Sequence, residues 1–366
     1  MTSDGLKKTS LHAFHVENGA RMVPFGGWDM PVQYTGILAE HQAVRTTAGL
    51  FDVSHMGEAT IQGTAARAFL DHLVTNDVSQ LTPGRVLYTP MCYESGTVVD
   101  DLLIYCRSET DFLLCINAGN TDKDIDWIFE KAERFDCAVE NFSSSFCQLA
   151  LQGPRAESIL QRLVEVPLGD IDYYHFVEGA VCGETAIISR TGYTGEAGFE
   201  IYAPWDQGPV IAQAIQEIGQ TDGMVLAGLG CRDSLRLEAG FPLYGHEISD
   251  TTTPYEGGIG WTVKLKKTSD FIGKDSLLEL KSVGIPRRTV FFVMEDRRIA
   301  RAGAVVYCGD EAIGEVVSGT QSPILNKPIG SALIKTEFVS SENLEVDLRG
   351  KRYAILQAKP PLHKIN

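Results

Sequence analysis

Short runs rich in β-branched and aromatic residues recur at 98–105, 112–117, 146–152, 185–190, 198–203, 289–294, 303–308 and 312–318, several joined by turns too short for a helical crossover. Parallel strands need such crossovers, so this spacing predicts an antiparallel α+β fold rather than a doubly wound parallel sheet. The segment Arg107 to Asp111 between two of the runs reads as a hairpin. Helical rhythm lies between the runs. In Thr64 to Thr75 the apolar positions are Ala66, Phe69, Leu70, Leu73 and Val74, and in Thr121 to Phe135 they are Ile125, Ile128, Phe129 and Ala132. Thr121 and Asp124 have the spacing of a capping box, and Pro154 and Pro209 are placed to open two more helices. After Lys281 the chain turns strand-rich and nearly helix-free, which places a domain boundary at the basic, proline-marked Gly284 to Arg288.

A chain of 366 residues exceeds the size at which one hydrophobic core stops growing, so two or three domains are expected. A net charge of −16, with no basic stripe interleaved with aromatics, argues against nucleic acid as a partner. No run of apolar residues is long enough to span a bilayer, and the polar start carries neither a signal nor a transit pattern, so no membrane association and a cytoplasmic location are expected. A mitochondrial matrix location applies only to a processed eukaryotic chain. The eight cysteines (Cys92, Cys106, Cys115, Cys137, Cys147, Cys182, Cys231 and Cys308) are scattered through apolar sequence without metal spacing and read as reduced core thiols. Gly228 to Asp233 lacks the last glycine of a dinucleotide fingerprint, and no phosphate-cradling loop is present. Arg287, Arg288, Arg297, Arg298 and Arg301 cluster in one stretch, as a solvated face or a docking surface.

Three segments carry candidate chemistry. Alternation in an extended strand puts Asp101 and Tyr105 on one face and Asp100 on the other. Adjacent carboxylates in an apolar strand are costly unless bonded or open to a cleft; the alternative is a strand-end turn. Gly192 to Gly198 is too glycine-rich for a strand interior and reads as a tight turn that projects Tyr193. On the strand that follows, Glu200 and Tyr202 share a face opposite Phe199 and Ile201, and a glutamate there is either a solvent-facing residue or an acceptor for a paired donor. Arg232 and Arg236 fall at i, i+4 in a helical pattern, where arginines ordinarily pair with surface acids. His55 reads as a structural hydrogen-bonder, and Trp28 and Trp261 as structural or core aromatics.

Phe-Asp-Val-Ser-His-Met-Gly at 51–57, Val-Val-Asp-Asp-Leu-Leu-Ile-Tyr at 98–105 and Gly-Tyr-Thr-Gly-Glu-Ala-Gly-Phe-Glu at 192–200, taken in order, resemble the aminomethyltransferase, or T-protein, family of the glycine cleavage system. The likeness continues through 230–240, 258–261 and 317–323, and so spans nearly the whole chain. It implies a three-domain, cloverleaf-like α+β arrangement. A discontinuous first domain would comprise 1–53, 141–172 and 230–280, a ferredoxin-like second domain 54–140 and 173–229, and a C-terminal β-barrel or jelly-roll domain 281–366. The discontinuity comes from the resemblance alone.

The resemblance also implies an activity: transfer of the methylene of an aminomethyl group, carried on lipoylated H-protein, to tetrahydrofolate as co-substrate. No metal, flavin or nucleotide is implied. By position, Asp101 is the catalytic aspartate, and Met56, Tyr88, Tyr105, Asn117, Tyr193, Glu200 and Arg232 are folate contacts, with Glu200 accepting from the pterin 2-amino group and N3–H. The tail from Lys359 to Asn366 departs from the aromatic or arginine-bearing endings of the family. The rival readings are a folate-dependent demethylase or related one-carbon enzyme of the same superfamily, and a non-catalytic folate-binding protein of iron–sulfur maintenance.

Overall fold

The computed structural model describes residues 5–364, so Met1 to Asp4 and the last two residues of the tail lie outside the described residues. The chain forms two compact units. The first comprises 1–69, 79–87 and 102–233, and the second 70–78, 88–101 and 234–366.

In the first unit a six-stranded sheet is antiparallel except at one edge, where Val225–Leu226 pairs parallel with Gly49–Asp52. Its centre is the pair Phe146–Gln152 and Gly198–Pro204, in register with Ile201 opposite Leu149 and Tyr202 opposite Gln148. Period-two alternation divides the Gly198–Pro204 strand. Phe199, Ile201 and Ala203 pack with Leu149, Leu151, Ile211 and Ile215 in the largest core, against the helices Ala156–Leu160 and Gly208–Gln220. Glu200 and Tyr202 face the other way, as the alternation predicts.

A five-stranded antiparallel sheet contains Gly57–Gln62, Val98–Ser108 and Asp111–Ile116, and the last two form the expected hairpin with a bulge near Cys106. One face of this sheet meets the six-stranded sheet through Tyr105, Leu113 and Cys115, which pack on Phe176, Ile187 and Tyr202. The helix predicted in 64–75 spans Ala66–Leu73, and its five periodic apolar residues are all buried.

The second helix spans Thr121–Ala132, but its predicted capping box does not form. A 3-10 turn, Ala118–Asn120, runs into the helix, so Asn120 is the N-cap and Thr121 is already helical. The Thr121 hydroxyl donates back to the carbonyls of Asn117 and Ala118 instead. Pro209 sits in the first turn of Gly208–Gln220, and Pro154 just precedes the N-cap of Ala156–Leu160.

The second unit holds a closed six-stranded barrel of Arg287–Met294, Lys327–Lys335, Glu311–Ser322, Val305–Cys308, Leu344–Asp347 and Arg352–Ala358. Its interior is Val290, Phe292, Met294, Val306, Val316, Ile334 and their neighbours, while Phe291 and Val293 on the same strand pack outward on Leu237, Ile329 and Leu362. Gly330 is required where strands crowd, because a Cβ there would lie 2.4 Å from the Phe292 ring. Of the clustered arginines, Arg287 pairs with Glu256, Arg298 with Asp296, and Arg301 donates to the Gly319 carbonyl.

None of the eight cysteines is in a disulfide; five are buried, and Cys137, Cys182 and Cys308 are partly exposed. Among the described residues no helix is long and apolar enough to cross a membrane, and no group of three or more His, Cys, Asp or Glu residues is placed to hold a metal ion.

Candidate functional site

Between the two sheets of the first unit lies a cluster of buried polar side chains. At its centre Glu200 is 5% exposed. Thr191 donates its hydroxyl to Glu200 Oε2, and Gln148 Nε2 lies 3.5 Å from Oε1. Gln148 also donates to the Tyr202 hydroxyl at 3.0 Å, and the Tyr202 and Tyr105 hydroxyls are 2.9 Å apart. Burial pushes the Glu200 carboxyl above its ordinary range, while the Thr191 hydrogen bond and the nearby Arg232 charge pull the other way. Tyr105 is fully buried, and Met56 packs on the same apolar cluster.

The turn that carries Tyr193 owes its shape to Gln152. This buried amide donates to the carbonyls of Thr191 (3.1 Å) and Phe199 (3.4 Å) and accepts from the Thr194 hydroxyl (3.0 Å). Gly192 and Gly198 make room for it, because a Cβ at either position would lie 2.0 or 2.6 Å from the Gln152 side chain. Arg45 ties the far side of the turn down through the Thr194 carbonyl and Glu196.

So held, Tyr193 presents its ring beneath the Arg232 guanidinium, 4.8 Å from centroid to Cζ. Arg232 lies near the N-terminus of the helix Leu229–Ala239, and its Nη1 is buried with no hydrogen-bond partner among the described residues. A buried guanidinium N–H of this kind is a donor in want of an acceptor. Asn117 is the N-cap of the 3-10 turn Ala118–Asn120.

In the second unit Asp100 is fully buried and Asp101 is partly exposed, so the strand divides the adjacent carboxylates between two environments. The Tyr88 hydroxyl donates to Asp101 Oδ2 at 2.8 Å, and the Asp101 amide donates to Asp100 Oδ1 at 2.9 Å. Trp261 was expected in a core and is 62% exposed instead. The 3-10 turn Gly260–Thr262 buries Thr262 and turns the indole outward, where it stacks on Tyr88 with centroids 6.0 Å apart.

His55 is buried, burial lowers its pKa to about 4, and its ring stands edge-on to Phe25, which suits a structural role. Trp28 is partly buried, with Lys7 over its ring.

The fold thus gathers Glu200, Tyr105, Met56, Arg232 and Tyr193 in the first unit, and Asp101 with Tyr88 in the second. Thr191, Gln148 and Gln152 carry no motif that marks them in the sequence, although Thr191 stands directly before the glycine-rich turn.

Two family models match the chain. The GCVT N-terminal domain covers 11–267, and the glycine cleavage T-protein C-terminal barrel domain covers 287–364. An aminomethyltransferase of Desulfitobacterium hafniense is 50% identical over 347 residues, 94% of this chain and 95% of the relative. One from Lysinibacillus sphaericus is 46% identical over 366 residues, 100% and 99% of the two chains. Among solved structures, the glycine cleavage system aminomethyltransferase T of Bartonella henselae superposes with a TM-score of 0.91 at 33% identity, covering 98% of each chain. The chain belongs to the aminomethyltransferase family, the T-proteins of the glycine cleavage system.

Proposed function

We propose that this aminomethyltransferase takes an aminomethyl group held as a thioaminal on the lipoyl arm of H-protein and passes its methylene to tetrahydrofolate. Ammonia and the dihydrolipoyl carrier leave, and 5,10-methylenetetrahydrofolate is formed. The observation that carries this reading is Glu200. One oxygen of this buried carboxylate is engaged by Thr191, and the other has, among the described residues, only a long contact to Gln148. A pterin offers a 2-amino group and N3–H side by side, the donor pair that such a group accepts. Arg232, with an unpaired buried donor, suits a ligand carbonyl oxygen, and Tyr193 and Met56 supply ring and apolar contact. Tyr88, Tyr105 and Asn117 are assigned to the folate by their place in the family pattern. The three-domain division at 1–53, 141–172 and 230–280, at 54–140 and 173–229, and at 281–366 belongs to the same reading.

Loss of the thiol or the amine leaves an iminium-like carbon. A fixed anion beside it lowers the barrier by stabilising charge that develops only in the transition state. Asp101 is that anion. The Tyr88 hydroxyl holds it in one orientation, and its carboxylate can pass a proton to the leaving group or take one from the folate nitrogen. The rest of the catalysis is proximity.

Asp101→Asn keeps the shape and removes the charge, so turnover falls by about 10²-fold or more while tetrahydrofolate affinity changes little. The assay supplies aminomethyl-loaded H-protein with and without tetrahydrofolate and measures ammonia. Near-normal turnover in the variant would remove Asp101 from the mechanism, and folate-independent ammonia release would remove tetrahydrofolate.

A further inference from the structure

The hydroxyl that reaches Glu200 is itself backed by others. A carboxylate can only accept, so the single proton of Thr191 is committed to Glu200 Oε2. Thr191 must then accept from its own neighbours, Ser189 Oγ at 2.9 Å and the Tyr105 hydroxyl at 3.4 Å. Tyr105 in turn meets the Tyr202 hydroxyl, which accepts from Gln148 Nε2. One assignment that uses each proton once runs from Gln148 to Tyr202, to Tyr105, to Thr191, to Glu200. Every member is buried.

We propose that Thr191 is a positioning residue for the transfer reaction: as the last donor of this buried chain it fixes Glu200 as an anion, leaves Oε1 for the substrate, and sets the lowest pH at which tetrahydrofolate is held. The inference rests on the assignment of Glu200 to the pterin. Tyr105 acts in it through its hydroxyl, two hydrogen bonds removed from Glu200.

The charge balance around Glu200 supports this role. Arg232 is the cation that acts on it, and Tyr105, Tyr173, Tyr202 and Cys115 are neutral groups whose own ionisation burial pushes up. Burial also pushes up the carboxyl of Glu58, across the strand pair from Cys115. Against full burial, the ionised form therefore depends on Arg232 and on the donor chain. Hydrogen bonds polarise one another when they run in one sense, so loss of the last donor removes the contribution of those behind it.

The test is the pH dependence of kcat/KM for tetrahydrofolate with aminomethyl-loaded H-protein. Thr191→Val is nearly isosteric and removes the hydroxyl. It moves the acid limb upward by about one pH unit, the scale of one hydrogen bond to a charged group. Thr191→Ser restores the limb. Tyr105→Phe, which deletes only the next hydroxyl, shifts it less in the same direction and serves as the readout if the valine variant fails to fold.

A merely structural Thr191 would lower the melting temperature and leave the limb where it was, and that result would overturn the proposal. Glu200→Gln separates the two layers. If it leaves the tetrahydrofolate KM unchanged, the pterin assignment fails. If it raises KM while Thr191→Val and Tyr105→Phe leave the limb in place, the donor chain alone fails.

Discussion

Arg236 and Glu247 form an ion pair in the second unit at 2.8 Å, with side chains 1% and 0% exposed. Arg236 also donates to Ser318 Oγ at 2.8 Å and to the Phe241 carbonyl, and Glu247 accepts from Ser331 and the Leu243 amide. Burial alone would oppose ionisation of Glu247, but Arg236 and the bonds from Ser331, Ser318 and Leu243 hold it below the usual carboxylate range. Arg236→Met keeps most of the volume and strands a buried anion. Breaking such a pair from one side costs about 3–5 kcal/mol, because the surviving charge is uncompensated. For a folding unit of this size that is a fall in Tm of roughly 6–20 °C.

Removing both charges with Arg236→Met and Glu247→Leu recovers much of the loss, with a coupling of about 2 kcal/mol or more. The pH dependence has a definite sign. In the native protein the folded pKa of Glu247 is depressed, so its stabilisation is present above the unfolded carboxylate pKa and is lost as pH falls through the folded value. In Arg236→Met the Glu247 pKa rises, so the deficit is largest at neutral pH and shrinks as Glu247 takes up its proton. Urea denaturation at pH 7 and pH 4.5 measures both effects. A loss under about 1 kcal/mol at pH 7, or a double variant no more stable than the single, would refute the reasoning.

Glu58 is fully buried, neither carboxyl oxygen has a partner among the described residues, and burial pushes its pKa well up. A raised folded pKa means stability is fully present below the unfolded value near 4.3 and falls by about 1.4 kcal/mol per pH unit up to the folded value. Glu58→Gln therefore stabilises the protein at pH 8 relative to wild type and not at pH 4, as denaturation midpoints will show; a pH-independent difference would mean that Glu58 is ionised. Gly192→Ala puts a Cβ 2.0 Å from Gln152 Oε1, which must release the Tyr193 turn. Its tetrahydrofolate KM rises about tenfold or more with a smaller change in kcat, measured by steady-state kinetics; an unchanged KM would show that the turn does not matter for folate.

What could be read from the sequence followed from local periodicity. Strand alternation alone put Glu200 and Tyr202 on one face and Phe199 and Ile201 on the other, and the helical rhythm of Leu229–Ala239 put Arg232 and Arg236 on one side. Local pattern also misled. Trp261 looks like core because it is a tryptophan among glycines, but a single 3-10 turn decides which way its ring points. Arg236 looked like a surface arginine, because its partners Glu247 and Ser318 come from segments that no i, i+4 rule connects.

The same limit hid the support of the candidate site. Thr191, Gln148 and Tyr105 meet only because two sheets pack face to face, with registers fixed far apart in the chain. Alternation alone gives no sign of it: Glu58 alternates with Ala59 and Gln148 with Cys147 and Leu149, as on strands with one solvated face, and Thr191 stands outside the strands. All three are nevertheless buried, at a cost of desolvation that needs compensation. Buried polar groups of this kind concentrate where function requires them, and here they lie around the two sheet faces that enclose Glu200.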